Sequence, residues 1–276
     1  MAGTLYVVSL PIGNLQDITL RAIRTLREVD LILAEDTRHT HTIVSRYQIK
    51  TPFALSLYQG VEKERVGRCL GLLVAGKSLA LVSDAGTPLL NDPGYPLVRA
   101  AVDRGIAVTP IPGATAAMAA LVASGLPTDR FVFAGAVPRR EKERAAHIGA
   151  LVSEVRTIIL YESPHRLLAT LETIAAILPN RKLVVARELT KLHEEFLRGT
   201  ARQILDIFAA RTEVKGEIVL LIEGTAEPVC APDSVRAEEV LSLLREEGIS
   251  KTGCVRVLML ALGLARNEAY RLVHRD

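Results

Sequence analysis

At 276 residues the chain is long enough for two compact lobes and something small besides. Its 49% hydrophobic and 24% charged content is that of an ordinary soluble globular protein, and no run of about 18 apolar residues offers a membrane span. A net charge of +3 and 4% aromatics with no tryptophan argue against a strongly basic nucleic-acid binder and against a base-stacking sheet.

In chain order, the opening Met1–Leu10 has no basic stretch and runs straight into a strand pattern, so no signal peptide is expected and a cytoplasmic location is. The spacing predicts strands over Thr4–Leu10, Asp30–Ala34, Leu79–Ser83, Ala107–Ile111, Arg130–Ala134, Thr157–Tyr161, Lys182–Ala186 and Glu217–Ile222. Near-continuous Val/Ile/Leu runs such as Ile218–Ile222 suggest strands covered on both faces, as in an α/β protein. Helical patterns lie between them. In Asp17–Asp30, Ile18, Ala22, Ile23, Leu26 and Val29 form one apolar stripe, with Asp17 as the expected N-cap. Ser163-Pro164 reads as a cap and first helical position. Boundaries are expected near Pro112–Ala114 and in the linker-like Cys230–Asp233, giving lobes 1–113 and 114–230 and a helical tail 231–276. The tail carries three short helical patterns broken at Gly248 and Gly263, resembling a helix-turn-helix, with Lys251, Arg256, Arg266, Arg271 and Arg275 available for phosphates. Cys69, Cys230 and Cys254 are odd in number and far apart, which fits free thiols better than disulfides or zinc.

Gly71–Ser78 matches the phosphate-loop pattern G-x-x-x-x-G-K-S letter for letter, but its context is reversed. A phosphate loop follows a strand and opens a helix; here an amphipathic helix through Val66, Leu70 and Leu73 ends at Gly76 and a strand follows. The match is a coincidence. Three other loops follow strands and are rich in small residues: Leu10–Leu15, Ser83–Gly94 and Ile111–Ala117. Ligands of open α/β sheets bind at the carboxyl ends of strands, and Ala85 and Gly86 allow close backbone approach. These loops describe a pocket without naming its ligand.

Further motifs carry a resemblance. Val8–Ala22, Ala34-Glu35-Asp36-Thr37-Arg38, Ser83–Gly94, Pro112-Gly113-Ala114, Tyr161–Arg166, Arg187–Lys191 and Lys215-Gly216-Glu217 together resemble, in order, the ribosomal RNA small subunit methyltransferase I family. The resemblance implies a two-lobed tetrapyrrole-methylase-like α/β fold (class III AdoMet methyltransferase), with S-adenosylmethionine (AdoMet) in the cleft between the lobes of a homodimer. It also implies 2′-O-methylation of a cytidine in the decoding region of 16S rRNA, expected within the small ribosomal subunit. Where the family usually reads Pro-Ser after Pro112-Gly113, this chain has Ala114-Thr115, which keeps a small residue and a hydroxyl. Matching the family's cofactor segments places AdoMet along Ala85, Gly86, Thr87, Leu90, Thr115 and Ala116, with Glu162, Leu189 and Gly216 from the second lobe.

Charged residues near these loops keep two readings each. Asp36 and Arg38 either pair with neighbouring charges or line the substrate side. Lys191–Glu195 is either a solvated face or part of the site. Arg139 and Arg140 either meet RNA phosphate or begin an exposed helix. A ribose hydroxyl is a weak acid, so a proton acceptor is expected, and Asp36, Lys191 and Glu194 are its candidates. Asn14, Arg38, Arg139 and Arg140 are candidates for substrate contact. His39 and His41 lack a third ligand, so no metal is expected. The alternatives are methylation of a tetrapyrrole or other small acceptor, and a non-enzymatic ribosome-binding protein on the same fold.

Overall fold

The computed structural model describes residues 2–57, 62–225, 234–264 and 266–274, leaving aside the side chains of 55, 62–64 and 234–236. Five short strands, β1 (Leu5–Val8), β2 (Leu31–Ala34), β3 (Phe53–Ser56), β4 (Leu79–Val82) and β5 (Val108–Ile111), form a parallel sheet of order β3-β2-β4-β1-β5. A second sheet contains β6 (Phe131–Ala136), β7 (Thr157–Glu162), β8 (Lys182–Arg187), β9 (Glu195–Thr200) and β10 (Ile218–Ile222) in the order β6-β7-β10-β8-β9. β6 and β7 are parallel, whereas β10 runs antiparallel to both its neighbours and β9 antiparallel to β8. All five residues of β10 are buried, as a continuous apolar run in a central strand requires.

Helices cover both faces of the first sheet. α1 (Leu20–Glu28) and α2 (Thr37–Arg46) pack Ala22, Leu26, Ile43 and Val44 on one side, and α3 (Glu62–Val74) and α4 (Tyr95–Asp103) pack Leu73, Leu97 and Ala101 on the other. On the second sheet α5 (Ala116–Ser124) lies on one face, with Ala117, Ala120 and Leu121 against Val184, Val219 and Leu221. α6 (Glu141–Gly149), α7 (Leu167–Ile177) and α8 (Ala201–Ala209) fill the other around Phe208, Leu171 and Ile148. Burial of a side chain as large as Phe208 contributes roughly 1.5–3 kcal/mol.

Two expected caps are replaced. Thr19, not Asp17, caps α1, its hydroxyl accepting from Ala22 N; Asp17 closes a 3-10 turn, Leu15–Asp17, and Ile18 is extended. Ser163 makes no side-chain cap bond; its N–H donates to the Glu162 carboxylate at 2.6 Å, and a 3-10 turn, Pro164–Arg166, precedes α7. Two strands escaped sequence reading. β3 is only four residues long, and β9 is a polar edge strand whose Glu-Phe-Leu-Arg-Gly-Thr lacks a sustained apolar run. The phosphate-loop lookalike ends α3: Gly76, at φ +89°, closes the helix, and Lys77 pairs with Asp30 at 2.8 Å. Cys69 is buried and its thiol is pushed up to about 11 by that burial, which leaves it unreactive.

The run Lys191–Glu195 is not simply a solvated face. Glu195, half-buried on β9, receives Arg211 at 2.5 Å and Arg187 at 3.0 Å. The Arg211 contact, followed by Arg187, holds its carboxyl down at about 2 against the cost of burial. A depressed carboxylate stabilises the fold above its ordinary value near 4.5 and loses that contribution as the pH falls toward 2. After discounting for solvent screening, the acid-labile contribution is about 1–2 kcal/mol. Unfolding followed against pH should therefore show wild type losing more stability across this window than Glu195→Gln. Parallel acid curves for the two proteins would contradict it.

Thr225–Asp276 forms a second compact unit, separate from the unit ending at Gly224. Its helices α9 (Ser234–Glu246), α10 (Lys251–Leu262) and α11 (Arg266–Val273) enclose Leu241, Cys254, Leu258 and Val273. Gly248 and Gly263 take positive φ at the two breaks. The expected linker Cys230–Asp233 and Arg275 lie outside the described residues.

Candidate functional site

The three small-residue loops meet at the carboxyl ends of β1, β4 and β5. Leu10 N donates to Gly86 O at 2.8 Å, the Ser9 and Thr87 hydroxyls lie 2.9 Å apart, and Thr87 donates onward to Ala114 O at 3.1 Å. Close packing demands glycine here. A Cβ at Gly113 would stand 2.9 Å from Ser9 Cβ, and Gly86 at φ +72° would bring one 3.2 Å from Ile12 Cγ2.

The second sheet supplies the facing wall from the ends of β7 and β8 and the start of β10. Glu162 is wholly buried, accepting from Ser163 N and from Thr170 Oγ1 at 2.5 Å and forming an ion pair with Arg166 at 3.0 Å. Glu188 Oε1 accepts from Lys191 Nζ at 2.8 Å and from Glu217 N at 3.0 Å. Gly13 of the first lobe crosses this turn so tightly that a Cβ would lie 2.5 Å from Lys191 Cγ, while Asn14 N donates to Thr190 Oγ1 at 3.0 Å. Leu89, Asn91, Glu188 and Thr190 all hold positive φ, and among the described residues Gln48 is the one other non-glycine that does. Strained backbone of this kind persists where surrounding structure over-determines it, and it clusters at sites of function.

Between these walls is a cavity of about 420 Å³, the size of a small-molecule site. Ala85, Gly86, Thr87, Leu90, Thr115, Ala116, Glu162, Leu189 and Gly216, drawn from two sequence segments of the first half and three of the second, all line it. Ile12, Glu35, Asp84, Asp92, Tyr161 and Glu217 line it as well. All six sit inside the motifs quoted above, but none of them was singled out there as a cofactor contact. Burial, and then the charges of Asp84 and Asp92, push the Glu35 carboxyl up; burial and Asp84 do the same to Asp92 despite a Ser83 hydrogen bond. Burial also raises the Tyr161 phenol. The cavity is thus mostly apolar with a concentrated patch of negative charge, an environment that favours a cation.

The charged candidates do not line this cavity. Asp36 caps α2 through Arg38 N at 2.8 Å and pairs with the Arg38 guanidinium, which holds its carboxyl down at about 2. Burial lowers Lys191, but Glu188 and Glu217 more than offset it, so its ammonium is held as a cation. Glu194 accepts from Thr190 N at 2.6 Å and so closes the 188–194 turn. Asn14 caps the Leu15–Asp17 turn through Gln16 N. Arg38 borders a second, open depression with Thr37, His41, Thr42 and Phe53. Arg139 and Arg140 are exposed ahead of α6, where Arg140 pairs with Glu143 at 3.0 Å. His165 is exposed in the 3-10 turn before α7. Among the described residues no cluster of three or more His, Cys, Asp or Glu is placed to hold a metal, and no helix is long and apolar enough to cross a membrane.

Two open faces of strand ends around a shared cleft define a two-lobed methyltransferase architecture, and comparison with known proteins agrees. The sequence profile of the tetrapyrrole (corrin/porphyrin) methylases matches residues 4–205. Among solved structures, the methyltransferase CobJ superposes with a TM-score of 0.62 at 20% identity, covering 82% of this chain and 95% of that one. Uroporphyrin-III C-methyltransferase from Thermus thermophilus, in complex with S-adenyl homocysteine, superposes at 0.52 and 18% identity over 80% of this chain and 97% of its own. Ribosomal RNA small subunit methyltransferase I of Halalkalibacterium halodurans is 44% identical over 99% of this chain and 96% of its own length. The protein of the same name from Synechocystis is 46% identical over 98% and 97%. The chain belongs to the tetrapyrrole methylases and, within them, to the ribosomal RNA small subunit methyltransferase I family.

Proposed function

We propose that the protein binds AdoMet in the 420 Å³ cavity and methylates the ribose 2′-hydroxyl of a cytidine in the decoding region of 16S rRNA. The observation that carries this reading is the convergence of all nine residues matched to the family's cofactor segments on one cavity. The residues present suit such a ligand. AdoMet has no phosphate, and among the described residues the walls offer no cluster of arginines or lysines. Gly86 and Gly216 leave backbone open where a Cβ would intrude. Glu35, Asp84 and Asp92 favour the positive charge that the sulfonium and ammonium carry.

When bound, the sulfonium supplies an already activated methyl group. The protein's part is then alignment of the acceptor and removal of water. Leu90, Ala116 and Leu189 give the cavity its apolar lining. Arg38, fixed by Asp36, faces the neighbouring depression beside His41 and Phe53, a combination of cation and aromatic ring suited to a nucleotide. The homodimer, the small-subunit context and phosphate contacts from Arg139, Arg140 and the tail unit belong to the same reading.

Alkaline hydrolysis tests it. A 2′-O-methyl group removes the internal nucleophile, so rRNA treated with protein and AdoMet should acquire one resistant linkage in the decoding region. A labelled product that is still cleaved there places the methyl on the base. Label appearing in uroporphyrinogen and not in RNA would replace the acceptor altogether.

A further inference from the structure

The three charged residues expected to accept the hydroxyl proton are all committed to other bonds, but one titratable ring beside the cavity is not. His39 occupies the first turn of α2, next to the Asp36 cap. Its Nδ1 lies 3.0 Å from Asp84 Oδ2, and Asp84 lines the cavity. The other carboxylate oxygen, Oδ1, accepts from Asp36 N at 3.0 Å, so one side chain fixes both the helix start and the ring. Because a carboxylate only accepts, this contact puts the proton of a neutral ring on Nδ1 and leaves a bare lone pair on Nε2. Nε2 has no partner among the described residues, and the side chain is 67% exposed.

We infer that His39 Nε2 accepts the proton of the RNA hydroxyl and that Asp84 is its positioning residue, an inference that rests on the ribose-methylation reading above. His39 takes the proton as the ribose oxygen forms its bond to the methyl carbon, and the donor sulfur keeps the electron pair of the bond that breaks. The sulfonium charge is thereby replaced by an imidazolium charge facing Asp84, and solvent later removes the proton. Asp36 and Arg38 on the same helix, and Glu35 and Asp92 behind Asp84, complete the charged surroundings of the ring.

The sharpest test needs no turnover. Nitrogen-15 NMR of the ring in the protein without methyl donor should show His39 protonated at Nδ1, and Asp84→Asn should abolish that preference. An Nε2-protonated ring in the wild type overturns the inference. In single-turnover assays on small subunits, His39→Gln should slow methylation by about 10²–10⁴-fold while S-adenosylhomocysteine affinity stays within about twofold. Imidazole added to His39→Ala should restore part of the rate, which a merely structural histidine would not allow. A full wild-type rate in His39→Gln, or a loss found only in Glu35→Gln, refutes it. If wild type methylates RNA at a base, the ribose reading itself fails and this inference falls with it; normal ribose methylation with an indifferent His39 sinks the inference alone.

Discussion

Glu162→Ala should lower the unfolding free energy by about 3–5 kcal/mol, the usual cost of removing one partner from a buried ion pair. The carboxylate is wholly buried and holds three partners: it accepts from Ser163 N and the Thr170 hydroxyl and pairs with the Arg166 charge. Alanine satisfies none of them. The Arg166 charge is left in a mostly buried place, and the backbone entering α7 loses its anchor. Urea titration is the measurement, and the midpoint should fall with the slope unchanged. Glu162→Gln, which keeps an accepting oxygen but no charge, should lose less. An alanine variant within about 1 kcal/mol of wild type would mean that water replaces all three contacts.

The second large effect concerns the cavity glycines. Gly216 sits at φ +94°, and a Cβ there would lie 2.3 Å from Glu188 Cδ. Alanine must therefore displace Glu188, which breaks its bonds to Lys191 and Glu217 N and deforms the wall of the cavity. Gly86→Val acts from the other lobe, forcing a β-branched residue into a left-handed conformation against Ile12. Overpacking of this kind costs about 1–3 kcal/mol, which at 1.4 kcal/mol per decade is about 5- to 150-fold in affinity. Calorimetry with S-adenosylhomocysteine should register the loss in both variants while each still unfolds cooperatively. Unchanged affinity in a folded Gly86→Val protein would remove that loop from the site.

The loops around β1, β4 and β5 were legible because tiny residues directly after apolar strands have few other uses, and the family likeness tied them to the second-lobe segments. Strand identity was legible wherever Val, Ile and Leu ran together, as in β10. Edge strand β9 was not, since a strand paired on one side tolerates Glu, Arg and Gly. Local capping was misread at two helix starts. Thr19, two positions after Asp17, takes the cap of α1, and a 3-10 turn stands between Ser163 and α7. The pairing of His39 with Asp84 spans 45 residues and depends on β2 and β4 being sheet neighbours, which no local pattern encodes. The charges told the same story in reverse: Asp36, Lys191 and Glu194 looked reactive as letters and proved to be fastened to near neighbours.

The place of β10 bears on how the polypeptide matures during synthesis. Among the described strands it is the last made, but it sits in the middle of its sheet, with β7 on one side and β8 on the other. The parallel sheet of the first lobe is complete once Ile111 has emerged, whereas the second waits for more than a hundred further residues, with the facing edges of β7 and β8 unpaired. Until Ile222 is free, those edges are templates for intermolecular association. A nascent chain released early by a nonsense codon ahead of Ile218 would carry that hazard permanently. One released just beyond Ile222 would have every strand of both sheets in place.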